Sequence, residues 1–291
     1  NGEIISADSR QVYKGMDIGT GKDIDIYKKA NIKVWGLDLV NPDYQFNLGE
    51  YKKFAQQVIK DIWQRGKLPI VVGGTGLYIK SLLEPMEYVK IPPDAKLRKI
   101  LGYYDITRLR TELEKLDKDR LKKMNNSDRN NPRRLIRAIE IATYLRHVRN
   151  YSSNEVRSLK DSSRLSVSNN NNTLLVGLTT DKKILFKKIS ERIKKRLKQG
   201  IVQEIKTLLN KGYDWKLPSM LGLGYQEFKP YFEKKESLSE VIKKWQIDEQ
   251  NYVQRQLVWF RKMSEINWFD ISQPGFYTEV EKLVCNFLQK S

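Results

Sequence analysis

Cysteine and histidine are almost missing from this chain: Cys285 and His147 are each the single residue of their kind. One thiol can neither close an internal disulfide nor furnish a zinc cage, which excludes structural zinc and points to a reducing compartment. Cys285 lies between Leu283 and Phe287 in a helical stretch and is expected to be buried. His147 follows a helix in a polar segment and reads as surface, not as a base or metal ligand. Long apolar runs are absent too. No stretch reaches membrane-spanning length and no signal peptide opens the chain, so a soluble cytoplasmic protein without a membrane partner is expected. An initiator methionine is also lacking: the chain opens on Asn1 and reads as a strand from Glu3 to Ser6, as an N-terminally truncated piece would.

What is abundant is positive charge. In 291 residues, 54 Lys and Arg face 35 Asp and Glu, a formal net charge of +19. The 40% hydrophobic content is ordinary for a globular protein with a sizeable core. A merely solvated surface mixes both signs, so a surplus this large indicates a polyanionic partner. Nucleic acid, an anionic membrane and a phosphorylated small ligand all qualify. A small ligand needs only a few cations, so the excess favours a long phosphate backbone.

The order of elements suggests an α/β core. After the opening strand, Lys33 to Leu39 reads as a second strand, and Asn47 caps a helix running to Arg65 and closed by Gly66. Tyr51, Phe54, Ala55, Val58, Ile59, Ile62 and Trp63 share one face of that helix. Leu68 to Val72 is apolar almost throughout, as a parallel strand covered on both faces would be. Gly73 to Gly76 then opens a helix reaching Leu83. Strand alternating with helix predicts a doubly wound parallel sheet. Pro85 to Pro93 reads as a linker, and Lys96 to Arg146 as helices only, with Asp105 capping Leu109 to Leu116 and Pro132 starting Arg133 to Leu145. Residues 147–172, rich in Ser and Asn, read as a mobile loop. Leu174 to Leu178 is a strand, and a basic helix follows from Asp181 to Gln199, stopped by Gly200. Helices near 201–211, 224–232 and 238–263, a strand at Ile266 to Asp270 and a helix at Thr278 to Leu288 complete the chain. The expected domains are residues 1–90 with 173–291, an α/β catalytic core with C-terminal helices, and 91–172, a helical insertion with its loop.

Ligands of open α/β sheets bind beyond the carboxyl ends of the strands. Three segments fall there: Ala7 to Gln11, Gly73 to Gly76, and Thr179 to Asp181. Asp8 with Ser9, Arg10 and Gln11 can accept a proton and hydrogen-bond a base edge, or Asp8 can simply cap a turn. Thr75 stands at a helix N-terminus in a loop open to close backbone approach, or in an ordinary tight turn. Arg133 and Arg137 share a helix face near Arg134, suited to phosphates, though charge runs are usually solvated. Arg192 and Arg196 are placed to clamp phosphate, while most other cations of their helix are surface. Trp259 and Phe260 read as core.

Taken together and in order, these segments resemble the tRNA dimethylallyltransferase family. The resemblance rests on Ile4 to Thr20, Val71 to Leu83, Asn131 to Glu140 and Gln254 to Lys262, with Gly222 to Glu227 as a weaker fifth match. It implies a P-loop-type doubly wound α/β core with an all-helical insertion. The implied activity is transfer of dimethylallyl from dimethylallyl diphosphate to N6 of the adenosine 3′-adjacent to the anticodon, using Mg2+. By the resemblance Asp8 is the general base and Thr75 belongs to the catalytic set. Contacts to tRNA fall on Asp8, Ser9, Arg10, Gln11, Thr75, Arg98, and Arg133, Arg134, Leu135, Ile136 and Arg137. Arg196, with Arg192, is implied in holding diphosphate. One departure is plain: the family opens with a strand and a Gly-Lys-Thr or Gly-Lys-Ser phosphate loop, and Gly15, Gly19, Gly21 and Lys22 lack that spacing. The first strand and P-loop are therefore expected to be missing from this chain. A non-catalytic tRNA-binding relative and an adenylate isopentenyltransferase are the competing readings. A monomer is expected.

Overall fold

A computed structural model describes residues 1–151 and 173–290. The chain divides into two compact units, one of residues 1–83 with those from 173 onward, the other of residues 84–151.

In the first unit, β1 (Gly2–Ser6) is the middle strand of a parallel sheet, flanked by β2 (Val34–Trp35) and β3 (Leu68–Val72). Ile5 of β1 pairs with Trp35 on one side and Val71 on the other. The expected strand at Lys33 to Leu39 shrinks to two residues. Gly36 at φ 90° and Asp38 at φ 55° turn the chain into the left-handed region and end the ladder. Between β1 and β2 lies the short helix α1 (Ile24–Lys29). Beneath the sheet, α2 (Leu48–Gln64) starts on a capping box in which Asn47 and Glu50 satisfy each other's backbone amides. Its buried face is Tyr51, Ala55, Val58, Ile59 and Ile62. Trp63, expected on that face, is exposed, one residue beyond the stripe.

The expectation that β3 is covered on both faces does not hold. Ile70 and Val72 are 42% and 48% exposed. The helix α3 (Gly76–Leu83) follows β3 and packs with α2, where Tyr51 and Tyr78 stack at 3.7 Å. A second parallel pair, β4 (Val176–Thr179) with β5 (Asn267–Asp270), forms a separate two-stranded sheet. The fold class is thus α/β with parallel strands, arranged among the described residues as two small sheets.

The second unit is helical: α4 (Ala95–Leu101), α5 (Ile106–Lys123), α6 (Asn126–Arg129) and α7 (Pro132–Tyr151). Leu101, Leu109, Leu113, Leu135, Ile139 and their neighbours form its core. Asp105 caps α5 as its position predicts, but the helix runs past Leu116 to Lys123, breaking its geometry only at Asp117. A 3-10 turn (Glu87–Lys90) occupies the expected linker. Residues 147–151, read from sequence as loop, extend α7; residues 152–172 of that expected loop lie outside the described residues.

The rest of the first unit is α8 (Lys182–Gln199), α9 (Ile201–Asn210), α10 (Lys229–Phe232), α11 (Leu238–Phe260) and α12 (Phe276–Lys290). Asp181, read as the first helical residue, caps α8 from just outside it, and Gly200, at φ 95°, ends it as expected. Ile189 and Ile193 of α8 join Ile205, Leu208, Met220, Phe228 and Trp245 in a core that also takes in Val12, Tyr13 and Met16 from the β1 side. That core fastens the segment after β1 to the C-terminal helices. Cys285 is exposed rather than buried, because α12 turns it away from Leu283 and Phe287. No helix among the described residues is long and apolar enough to cross a membrane.

Leu113, fully buried in the helical unit, tests that packing. Leu113→Ala removes apolar contact and leaves a cavity, so a loss of about 2–5 kcal/mol is expected from urea denaturation. A loss below about 0.5 kcal/mol, the size of a surface change, would contradict the assigned core.

Candidate active site

Two loops at the carboxyl ends of β1 and β3 lie against each other, and their backbones explain the glycines. The Ala7 amide donates to Val72 O at 2.7 Å and the Thr75 amide to Ala7 O at 3.1 Å. A Cβ on Gly73 would come within 2.4 Å of the Ala7 backbone, so no other residue fits there without moving the loop. Thr75 Oγ1 accepts from the Ser9 amide at 3.0 Å and donates to Ser9 Oγ at 3.3 Å. Thr75 therefore fixes the loop that carries Asp8.

Asp8 is half-buried, and its Oδ1 accepts from the Arg10 amide at 2.7 Å. Burial pushes its carboxyl above the ordinary aspartate range, against the lowering pull of the Arg10 and Gln11 amides and the Arg10 and Arg196 charges. Tyr252 of α11 lies near enough that Asp8, after burial, raises its phenol in turn. Tyr78 of α3 likewise feels the Asp8 charge.

Arg10 and Gln11 are committed to the frame. Arg10 Nη1 donates to Pro218 O at 2.6 Å. Gln11 accepts from Ser6 Oγ at 2.8 Å and donates to Gly21 O at 3.0 Å. The glycine-bearing turn that follows is no phosphate cradle. Its amides at Asp17, Ile18 and Gly19 donate to the Glu204 carboxylate at 2.9, 2.8 and 3.1 Å, and Tyr225 Oη joins at 2.7 Å. Lys22 is 1% exposed, with its Nζ on Tyr13 O, Asp17 and Asp38. A side chain of this protein already fills the nest that an anion would take.

On the same unit, Arg196 is 8% exposed and lies against Gly21, where a Cβ would meet its Nη2 at 2.5 Å. Its Nη1 donates to Glu249 Oε1 at 3.2 Å, while Arg192 Nη2 donates to Glu249 Oε2 at 2.7 Å. From α11, Gln256 Nε2 donates to Gly74 O at 2.8 Å and Trp259 packs on Gly76. Trp259 is thus half-buried against the glycine loop. The structure brings together Asp8, Ser9, Arg10, Gln11, Thr75 and Arg196, with Arg192 joined to Arg196 through Glu249. Sequence reasoning missed Glu249, Glu204 and Tyr252, and noted Gln256 only as part of the Gln254 to Lys262 segment, with no role.

The remaining candidates belong to the helical unit. Arg98 forks onto Glu140 at 2.6 and 2.8 Å, and Arg137 adds a bond at 3.1 Å. Arg137 also donates to Tyr88 O and Ile91 O. Burial raises the Glu140 proton affinity, but Arg98, the Asp94 amide and Arg137 together hold it below the usual carboxylate range. Arg98 and Arg137 are therefore frame cations more than free ones. Leu135 is fully buried and Ile136 packs against the same core, so their side chains seat α7 instead of reaching outward. Arg134 pairs with Asp128, and Arg133 is exposed with no ion pair among the described residues.

At the end of a parallel strand the structure thus joins a carboxylate of raised proton affinity, held by a backbone amide, to a buried arginine whose charge it feels. Comparison with known proteins gives the family. A model of the family described as IPP transferase matches residues 11–263. A tRNA dimethylallyltransferase of Acetivibrio thermocellus is 38% identical over 290 residues, covering 98% of this chain and 88% of the relative. The crystal structure of a tRNA delta(2)-isopentenylpyrophosphate transferase from Staphylococcus epidermidis aligns at TM-score 0.68 and 30% identity, over 100% of this chain and 92% of that one. A eukaryotic dimethylallyltransferase acting on tRNA aligns at TM-score 0.78 and 25% identity, over 100% of this chain and 74% of that one. The chain belongs to the IPP transferase family.

The two glycines of the β3 loop separate a backbone clash from a yielding one. Gly73→Ala meets the Ala7 backbone and is expected to cost about 1–3 kcal/mol on denaturation. Gly74→Ala meets only the amide end of Gln256, at 2.1 Å, which can swing aside, so a clearly smaller loss is expected. Equal losses would mean that the two loops are not held as described.

Proposed function

We propose that this protein transfers the dimethylallyl group of dimethylallyl diphosphate to N6 of the adenosine 3′-adjacent to the anticodon in tRNA. One observation carries the reading: a half-buried Asp8, its proton affinity raised by burial, sits at a strand end beside Arg196. The family membership and the +19 charge support it. An exocyclic amine is a poor nucleophile, so the site must orient it, take its proton and accommodate the departing anion.

In this reading the N6 nitrogen forms a bond to the allylic carbon as the carbon–oxygen bond to diphosphate breaks. The bonding pair leaves with pyrophosphate, and the N6 proton passes to Asp8. The Thr75–Ser9 link and the Arg10 amide hold that carboxylate in place, and Arg196 with Arg192 receives the charge that develops on pyrophosphate. Among the described residues no group of three or more His, Cys, Asp or Glu side chains is placed to hold a metal ion. Magnesium takes its ligands largely from substrate phosphates and water. Bound to the diphosphate, it would supply charge neutralisation at the leaving group. The adenosine must leave its stack to reach Asp8, which requires a firm hold on the surrounding loop. Arg133 and Arg134, exposed on α7, suit its phosphates. Asp8, Thr75, Arg192 and Arg196 all come from one unit of one chain, which favours a monomer.

The test is transfer of labelled dimethylallyl to unmodified tRNA by the full-length protein. Asp8→Asn is expected to lower kcat by about 100-fold or more while tRNA affinity stays within about twofold. Because the base must be ionised, the wild-type rate should fall as pH drops through a point above the ordinary aspartate range. tRNA binding without transfer would favour a non-catalytic binder, and strong competition by free AMP an adenylate isopentenyltransferase.

A further inference from the structure

Glu249 lies deep in the first unit, 4% exposed, on the inner face of α11. Its two oxygens are divided between two arginines one helical turn apart on α8, with Arg192 at 2.7 Å and Arg196 at 3.2 Å. Arg196 is the inner of the two: its side chain is 10% exposed, against 45% for Arg192. Two cations thus share one anion, and the cluster keeps a net positive charge to offer a ligand. A buried carboxylate beside a diphosphate site is nonetheless unfavourable for binding, since like charges repel most strongly where water is excluded. Affinity alone would be better served by a neutral residue. Geometry is what Glu249 supplies. Gripping Nη1 leaves Nη2 of Arg196 turned toward Gly21, on the side of the chain that continues from the Asp8 loop through Gln11. A long arginine side chain without such a partner loses its orientation among many rotamers.

We infer that Glu249 is a positioning residue that aims Arg196 at the departing pyrophosphate, giving up ground-state affinity for orientation in the transition state. The inference rests on the proposed role of Arg196 toward diphosphate. Interactions made only as charge develops raise kcat, whereas those shared with the ground state alter KM.

Glu249→Gln keeps the shape, removes the charge and leaves an amide nitrogen facing one arginine. Steady-state kinetics of this variant with tRNA should show kcat down by about 10- to 100-fold, as for a misplaced group. KM for dimethylallyl diphosphate should not rise, KM for tRNA should hold, and inorganic pyrophosphate should bind about fivefold more tightly by calorimetry. Glu249→Asp, which restores the charge, should recover pyrophosphate affinity to near wild type. A purely structural Glu249 would lower active concentration alone, with both KM values and pyrophosphate affinity unchanged, and that result would overturn the inference. So would weaker pyrophosphate binding by folded Glu249→Gln. Should Glu249→Gln not fold, Glu249→Asp carries the test: its shorter reach must lower kcat at unchanged pyrophosphate affinity, and wild-type kcat would overturn the inference. Failure of the functional reading looks different, because wild-type protein would then transfer nothing to tRNA.

Discussion

The site depends on an imbalance at one carboxylate. Burial makes the charge on Asp8 expensive, while two backbone amides and two arginines make it cheaper, and burial wins. In the proposed role of base, a fully solvated aspartate would hold its proton too weakly to take one from an amine as the new bond forms. A fully paired one would hold it more weakly still. The surrounding architecture maintains the intermediate condition: β1 brings Asp8 to the sheet end, Thr75 pins the loop, and Gln11 ties it to the turn at Gly21 on which Arg196 rests.

The chain fills its own anion-binding geometry. The amides of Asp17 to Gly19 form a concave nest, but Glu204 occupies it from α9. Lys22 is likewise spent on two aspartates and a carbonyl inside the fold. The same holds in the helical unit, where Glu140 claims Arg98 and Arg137. These cations therefore serve as internal scaffolding. The surplus of +19 resides in what is left over.

Much of this was legible in the sequence because it rests on local chemistry. Asn47, Asp105 and Asp181 announce helix starts by side-chain capping, and Gly200 announces a stop by its positive φ. The β1–loop and β3–loop pattern marked Asp8 and Thr75 as neighbours at a strand end. What escaped depends on tertiary partners. Gly36 and Asp38 cut β2 short through backbone conformations that apolar periodicity does not report. Trp63 was read onto a helical stripe and Cys285 as buried between two apolar neighbours, yet both are exposed, Cys285 because a residue two positions from Leu283 and Phe287 falls on the opposite face of the helix. Glu249 is separated from its arginines by more than fifty residues, and nothing in the spacing of an acid on α11 reveals a cation on α8. Arg137 and Glu140, three apart on one helix, did carry a readable signal, yet the competing claim of a phosphate partner obscured it.

The proton affinity of Asp8 can be read directly. Carbon-13 NMR titration of the carboxyl carbons in aspartate-labelled protein, with Asp8→Asn to assign the resonance, follows that group without reference to turnover. A midpoint above the ordinary aspartate range is expected, moving higher still in Arg196→Met as a favourable charge is withdrawn. A midpoint at or below that range would contradict it, since Asp8 would then be an anchored anion and not a base.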